Sequence, residues 1–187
     1  GWRGVNALLV ERGDGSIFQP KMDGVNVRTM EFCRRWGITD AVRQCGYPRD
    51  YPQDMIYLTS FNGYELGRED FATPNGGAED RRTSNSPEAR CPQNLFDPIL
   101  RDFASRQAST RLSYHTRLES FVDHGDHVLS TLVDERSGER RELRSRYLVG
   151  CDGAASTVRQ KLGIPMSGLG TLTYTTNVLF RCPELSA

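Results

Sequence analysis

The chain has 187 residues, enough for one domain and part of a second, and 37% of them are hydrophobic. Lysine plus arginine and aspartate plus glutamate both number 24, so no net field draws in nucleic acid or an anionic membrane surface. No apolar run approaches the roughly 20 residues that cross a bilayer, and no signal-peptide pattern opens the chain, so a cytoplasmic protein is expected, with neither nucleic acid nor membrane as partner.

Val5, Ala7, Leu8, Leu9 and Val10 form a short apolar run between glycines, the pattern of a buried parallel strand. A parallel strand needs a strand and a crossover helix before it, so the chain reads as starting inside a βαβ unit whose helix stops at Gly4. Asn26 is placed to cap a helix from Val27 to Trp36, with Val27, Met30, Cys33 and Trp36 on one face and Gly37 as its stop. A shorter helix, Asp40 to Gln44, follows a Thr39 cap and ends before Gly46. Met55–Ser60 and Tyr64–Arg68 are rich in strand formers, and Asn62-Gly63 between them signals a hairpin. From Ala72 to Pro92 the composition turns to Pro, Gly, Asn, Ser and charge, which reads as a long surface loop.

Gln93 to Gln107 is predicted helical, with Leu95, Ile99 and Phe103 in one stripe and Pro98 near the first turn. Three strands are expected next, near Arg111–Val122, His127–Asp134 and Glu139–Arg146, joined by glycine turns into an antiparallel meander. Tyr147–Gly150 reads as another buried strand, Ser156–Leu162 as a helix stopped by Gly163, and Thr171–Phe180 as a final strand. The order implies the α/β class: a parallel sheet with an inserted antiparallel β-meander. Five cysteines are scattered without a CxxC pair, which reads as reduced thiols, and His124 and His127 flank a hairpin tip, where no metal site is expected.

Two places carry chemistry. Glu11 stands at the carboxyl end of the first apolar run, where a carboxylate in a dinucleotide-binding sheet accepts hydrogen bonds from both hydroxyls of a ribose; a glutamate facing water is the plain alternative. Cys151-Asp152-Gly153-Ala154-Ala155-Ser156 delivers an aspartate from a strand end into a tight turn before a helix. That is where open parallel sheets bind ligands, although the aspartate can also simply serve the turn.

Leu148-Val149-Gly150-Cys151-Asp152-Gly153, followed by Ser156 and Arg159, resembles the Asp-Gly fingerprint of FAD-dependent aromatic-ring hydroxylases, the para-hydroxybenzoate hydroxylase-like group A flavoprotein monooxygenases. Val27-Arg28-Thr29-Met30-Glu31-Phe32 with Trp36-Gly37-Ile38, Cys91-Pro92-Gln93 with Leu100, and Gly170-Thr171-Leu172 through Asn177 and Phe180-Arg181 resemble other segments of that family, in family order. The resemblance implies a Rossmann-like FAD-binding domain over residues 1–166, incomplete at its start, and the first strand of a substrate-binding domain over residues 167–187. Its phosphate-binding Gly-x-Gly-x-x-Gly loop would precede Gly1.

By the same resemblance the cofactor-binding residues are Glu11 at the adenosine ribose, its neighbour Arg12, Arg28 at the flavin phosphate or ribityl region, and Gln93 at the ribityl or pyrophosphate part. Leu118 would touch adenine through its backbone, and Asp152 would bond the ribityl or phosphate region in a fingerprint also tied to NAD(P)H. The side-chain chemistry suits these roles, since a guanidinium forks onto phosphate oxygens and an amide both donates and accepts. A solvated helix charge at Arg28, a plain first-turn residue at Gln93 and a core residue at Leu118 are the alternatives. The implied reaction takes NADH or NADPH, O2 and a small phenol-like or polyketide aromatic substrate; no catalytic residue is nominated. Two rival readings are another FAD enzyme, such as a flavin-dependent halogenase, and a truncated α/β module that binds no FAD.

Overall fold

The computed structural model describes residues 1–49, 53–70, 88–176, 178 and 180. The surface loop expected over 72–92 falls mostly outside the described residues, as do Asn177, Arg181 and Cys182. Contacts divide the chain into two units, one of residues 1–6 and 17–110, the other of residues 7–16 and 111–187.

In the first unit, β2 (Gly24–Val25) leads into α1 (Val27–Trp36) and α2 (Thr39–Arg43). Asn26 caps α1 by accepting the Thr29 N–H at 2.9 Å, and Gly37 ends it at φ 73°, a left-handed turn that glycine enters without a Cβ clash. α2 starts one residue earlier than its sequence signals suggest: Thr39 is its first residue, not its cap, and the Thr39 hydroxyl is buried without a partner. Hairpin strands β3 (Met55–Leu58) and β4 (Glu65–Glu69) pair antiparallel. Their connection is longer than a two-residue Asn-Gly turn, because the Ser60 carbonyl accepts the Gly63 N–H and the Thr59 hydroxyl accepts the Tyr64 N–H.

β5 (Ala89–Arg90) pairs antiparallel with β2, so the end of the expected loop is a strand. α3 (Gln93–Ser105) follows, and Pro98 is its sixth residue, in the second turn rather than the first. The core of this unit is Val25, Met30, Cys33, Val42, Cys91 and Phe96, with Leu95, Ile99 and Leu100 packed against it. Faces of all three helices, α1, α2 and α3, and the short β2–β5 ribbon thus close over one apolar cluster.

In the second unit, β1 (Ala7–Val10) lies beside β6 (Thr110–Ser113). This pair is the parallel component of a mixed α/β fold; among the described residues the three other sheets are antiparallel. β1 is less buried than its apolar run suggests, with Leu9 half exposed. β7 (Thr116–Asp123), β8 (Val128–Asp134) and β9 (Arg140–Ser145) form the expected meander in that order. The single strand expected over Arg111–Val122 is two strands. His115 sits at φ 50°, an unusual conformation for a side-chain-bearing residue, and it breaks the chain so that β6 pairs with β1 while β7 joins the meander. Leu132 and Val133 of β8 are the buried centre of that sheet.

Two strand expectations are corrected. Tyr147–Gly150 has no regular secondary structure, and Tyr147 and Val149 are 76% and 77% exposed. An isolated extended segment leaves its N–H and C=O groups unpaired, and no strand among the described residues runs beside it. Glu11 and Asp152 therefore do not end neighbouring strands of one sheet. Residues 171–176 of the expected final strand also carry no regular structure, and Tyr174 is almost fully exposed, for the same lack of a pairing edge. α4 (Thr157–Lys161) forms where expected and is capped by Ser156.

Candidate functional site

Glu11 emerges from β1 and is fixed by its backbone. Its N–H donates to the Ser113 carbonyl and its own carbonyl accepts the Thr116 N–H, both at 2.9 Å. The carboxylate folds back, with Oε1 accepting the Gly13 N–H at 2.7 Å, which leaves the second oxygen for hydroxyl donors. Arg12 beside it is exposed. The loop then closes over the β6–β7 corner. The Gly13 carbonyl accepts the His115 N–H at 2.8 Å, and Gly15, at φ 79°, lies against the ring of Tyr114. Asp14 Oδ1 accepts the Ser16 N–H at 2.8 Å, and hydrogen bonds from Ser16 hold its carboxyl below the usual range.

Leu118 is half-buried on β7 and pairs with Leu132, while the irregularity that follows leaves Glu119 without a register partner on β8, its carboxylate instead taking the Arg140 guanidinium of β9 at 2.9 Å. β7 is an edge of its three-stranded sheet, and its Thr116 is the residue that bonds Glu11. Glu11, Arg12 and Leu118 thus gather at one corner of the second unit.

Asp152 belongs to the same unit and its carboxylate is heavily used. Oδ1 accepts the Ser156 hydroxyl, and Oδ2 accepts the N–H groups of Thr157 at 2.6 Å and Val158 at 3.3 Å. Ser156 Oγ in turn accepts the Arg159 N–H at 3.0 Å. These donors, the Ser156 hydroxyl first, hold the Asp152 carboxyl below its ordinary value. Gly153 turns the chain at φ 73°, and the Arg159 guanidinium locks the turn by donating to the carbonyls of Ala154 and Ile164. These bonds show Asp152 building the turn and the start of α4.

Arg28 and Gln93 lie in the first unit. Arg28 projects from α1, is 74% exposed, pairs with Glu31 at 2.8 Å and stacks over the Phe32 ring at 4.9 Å. One Nη1 contact to Glu31 leaves other guanidinium N–H groups of its fork for phosphate oxygens. Gln93 opens α3. Its N–H donates to the Met22 carbonyl at 2.8 Å, its Oε1 accepts the Lys21 N–H at 3.1 Å, and its Nε2 donates to Asp97 Oδ2 at 3.4 Å. Arg90 pairs with Asp23 at 2.7 Å, and the Cys91 N–H donates to the Asp23 carbonyl, so segment 21–23 is stapled along 90–93.

Taken group by group, the chemistry suits parts of FAD: in the first unit a guanidinium for phosphate and an amide for polyol hydroxyls, in the second a carboxylate that accepts from ribose hydroxyls. Sequence reasoning missed the partners of these groups, Glu31 three residues after Arg28 and Asp97 four after Gln93, though helical spacing alone would have found both. Among the described residues, no group of three His, Cys, Asp or Glu side chains is arranged to hold a metal, and no helix is long and apolar enough to cross a membrane.

A family model described as "FAD binding domain" matches residues 1–187. The chain belongs to the FAD binding domain family. Within it, the chain is 35% identical to the tetracenomycin B2 monooxygenase-dioxygenase of Streptomyces olivaceus, over 96% of this chain and 35% of that protein. It is 33% identical to the 4-methyl-5-nitrocatechol 5-monooxygenase of Burkholderia sp, over 98% of this chain and 33% of that one. Among solved structures, the rebeccamycin biosynthetic enzyme RebC with reduced flavin matches with a TM-score of 0.76 and 38% identity, over 83% of this chain and 29% of that chain. The chain therefore spans about a third of the length of the curated relatives it matches. Relatives named as monooxygenases and hydroxylases favour neither a halogenase nor a cofactor-free module.

Proposed function

We propose that the protein carrying this chain is an FAD-dependent monooxygenase that hydroxylates a phenol-like or polyketide aromatic ring, using NADH or NADPH and O2. The observation that carries this reading is the whole-chain match to the FAD binding domain family, joined to relatives named as a tetracenomycin B2 monooxygenase-dioxygenase, a polyketide hydroxylase and a 4-methyl-5-nitrocatechol 5-monooxygenase. In overall balance, the substrate C–H becomes C–OH, one oxygen atom of O2 leaves as water, and NAD(P)H with a proton supplies the two electrons. Bound FAD supplies the redox chemistry.

This chain's own residues bind and orient. The free oxygen of Glu11 takes the adenosine ribose hydroxyls, with Arg12 beside it and the backbone of edge-strand residue Leu118 toward adenine. Arg28 forks onto a phosphate, Gln93 bonds the ribityl or pyrophosphate part, and Asp152 holds the turn that meets the ribityl or phosphate region. What supports these roles is the chemistry of each group, the donors that Arg28 and Gln93 have left unused and the second, accepting oxygen of Glu11. Residues 1–166 are assigned to the FAD-binding domain and 167–187 to the start of the substrate-binding domain. The cytoplasm, which holds NAD(P)H, is the assigned compartment.

The test is purification of the full-length protein. Stoichiometric FAD seen in the visible spectrum, with NAD(P)H consumption coupled to a one-oxygen mass gain in an aromatic substrate, is the expected outcome. A flavin-free protein that takes up no added FAD would sink the reading.

A further inference from the structure

The amide of Gln93 is held from both ends. Lys21 offers a backbone N–H, which can only donate, and it meets Oε1 at 3.1 Å; Asp97 offers a carboxylate, which at neutral pH can only accept, and it meets Nε2 at 3.4 Å. A primary amide facing neutral, two-way partners can sit in either of two flipped orientations, and this pair of neighbours permits one. The oxygen faces Lys21 and the nitrogen faces Asp97, leaving one N–H of the amide and one oxygen lone pair for a ligand. Next to the same Lys21 and Pro92 backbone lies an open hollow of about 310 Å³ lined by Pro20, Lys21, Met22, Asp23 and Pro92.

We propose that Asp97 is a positioning residue for the cofactor: it fixes the flip state of Gln93 so that the remaining amide N–H is aimed at an oxygen of the flavin side chain. The inference rests on the reading of Gln93 as a flavin-chain ligand. Asp97 itself makes no contact with the cofactor. A carboxylate in direct contact would repel the pyrophosphate, whereas one turn further along α3 its charge is spent on orienting a neutral donor.

The full-length protein, stripped of flavin, is titrated with FAD and the dissociation constant read from fluorescence quenching for wild type, Gln93→Ala, Asp97→Ala and the double variant, with the melting temperature of each apo form. Gln93→Ala and Asp97→Ala should each weaken binding about fivefold, the scale of one oriented hydrogen bond. The double variant should bind no more weakly than Gln93→Ala alone, because Asp97 acts only through Gln93. Asp97→Glu, still a pure acceptor, should restore affinity.

Asp97→Asn preserves shape and guards against a misfolded alanine variant. Its amide can face Gln93 either way, so it should weaken binding with an unchanged apo melting temperature. Additive losses in the double variant, or wild-type affinity in both Asp97→Ala and Asp97→Asn, would overturn the positioning role while leaving Gln93 as a ligand. Wild-type affinity in Gln93→Ala would instead remove the Gln93 reading, and the inference with it.

Discussion

Asp152 and Thr157 are joined by a 2.6 Å hydrogen bond from the Thr157 backbone N–H to the Asp152 carboxylate, which makes the aspartate of the Asp-Gly turn a cap for α4. The Ser156 hydroxyl bonds the same carboxylate and also caps the helix at Arg159. Helix starts leave N–H groups without intrahelical acceptors, and here two side chains share the task.

Ser156→Ala should therefore cost about 1 kcal/mol of stability, the usual loss of a side-chain N-cap, measured by urea denaturation of the full-length protein. Asp152→Asn should also lower the melting temperature, since it loses the charge that its donors favour. The pH dependence follows from the sign of the shift. The folded carboxyl lies below its ordinary value of 3.8, so its contribution is complete above that value and fades as pH falls through the lower folded value. Wild type and Asp152→Asn should differ most at neutral pH and converge in strong acid; a constant difference across the acid range would refute the capping account.

Gly15→Ala tests the loop that carries Glu11. A Cβ at position 15 would lie 2.5 Å from Cε1 of Tyr114 on a backbone at φ 79°. The substitution should destabilise by about 1–3 kcal/mol and, by displacing the loop, weaken FAD binding as well. Gly125→Ala, at a hairpin tip with a similar φ of 86° and open space around it, separates backbone strain from the Tyr114 clash. It should cost less than Gly15→Ala and leave FAD affinity unchanged.

Thiol reactivity should follow burial. Cys91 and Cys33 are fully buried; removal from water pushes both thiols up, Cys91 to about 12 with the neighbouring Cys45 contributing. Cys151 is exposed. Brief treatment of the native protein with iodoacetamide near neutral pH, followed by peptide mass mapping, should label Cys151 and spare Cys33 and Cys91 until denaturant is added. Early labelling of Cys91 would contradict the packed core around it.

Arg28→Ala removes the exposed guanidinium on α1. If Arg28 meets a phosphate, FAD affinity should fall about tenfold or more, the scale of a charge-assisted hydrogen bond. The melting temperature should barely change, because its pair with Glu31 is exposed. Equal FAD affinity in Arg28→Ala and wild type would return Arg28 to the role of a solvated helix charge.

Much of the architecture was legible from local chemistry. α1 begins after Asn26 and ends at Gly37 because an Asx cap and a left-handed glycine are written into adjacent residues. The meander follows from alternating apolar residues between His124-Gly125-Asp126 and Ser137-Gly138 turns. Strand partnership is different, since a strand depends on hydrogen bonds from another segment that its own residues do not name. Val5–Val10 and Tyr147–Gly150 look alike as apolar runs, yet Ala7–Val10 has β6 beside it and forms a strand, while Tyr147–Gly150 has no strand beside it among the described residues and does not. The split of Arg111–Val122 at His115 was hidden for the same reason: a single left-handed residue is stabilised by contacts with Gly13 and Glu135, both distant in sequence.

The amino-acid order by itself determined the helix caps, the hairpin and meander turns, the α/β class and the family, because each rests on short-range rules or on patterns readable in a line. Only the tertiary structure decided that β1 belongs with β6, that Glu11 and Leu118 share a corner, that Asp152 is committed to α4, and that Gln93 is gripped by Lys21 and Asp97. Those outcomes depend on which groups, remote along the chain or directionless in a one-letter code, end up within about 3 Å of one another, where a hydrogen bond has a definite direction.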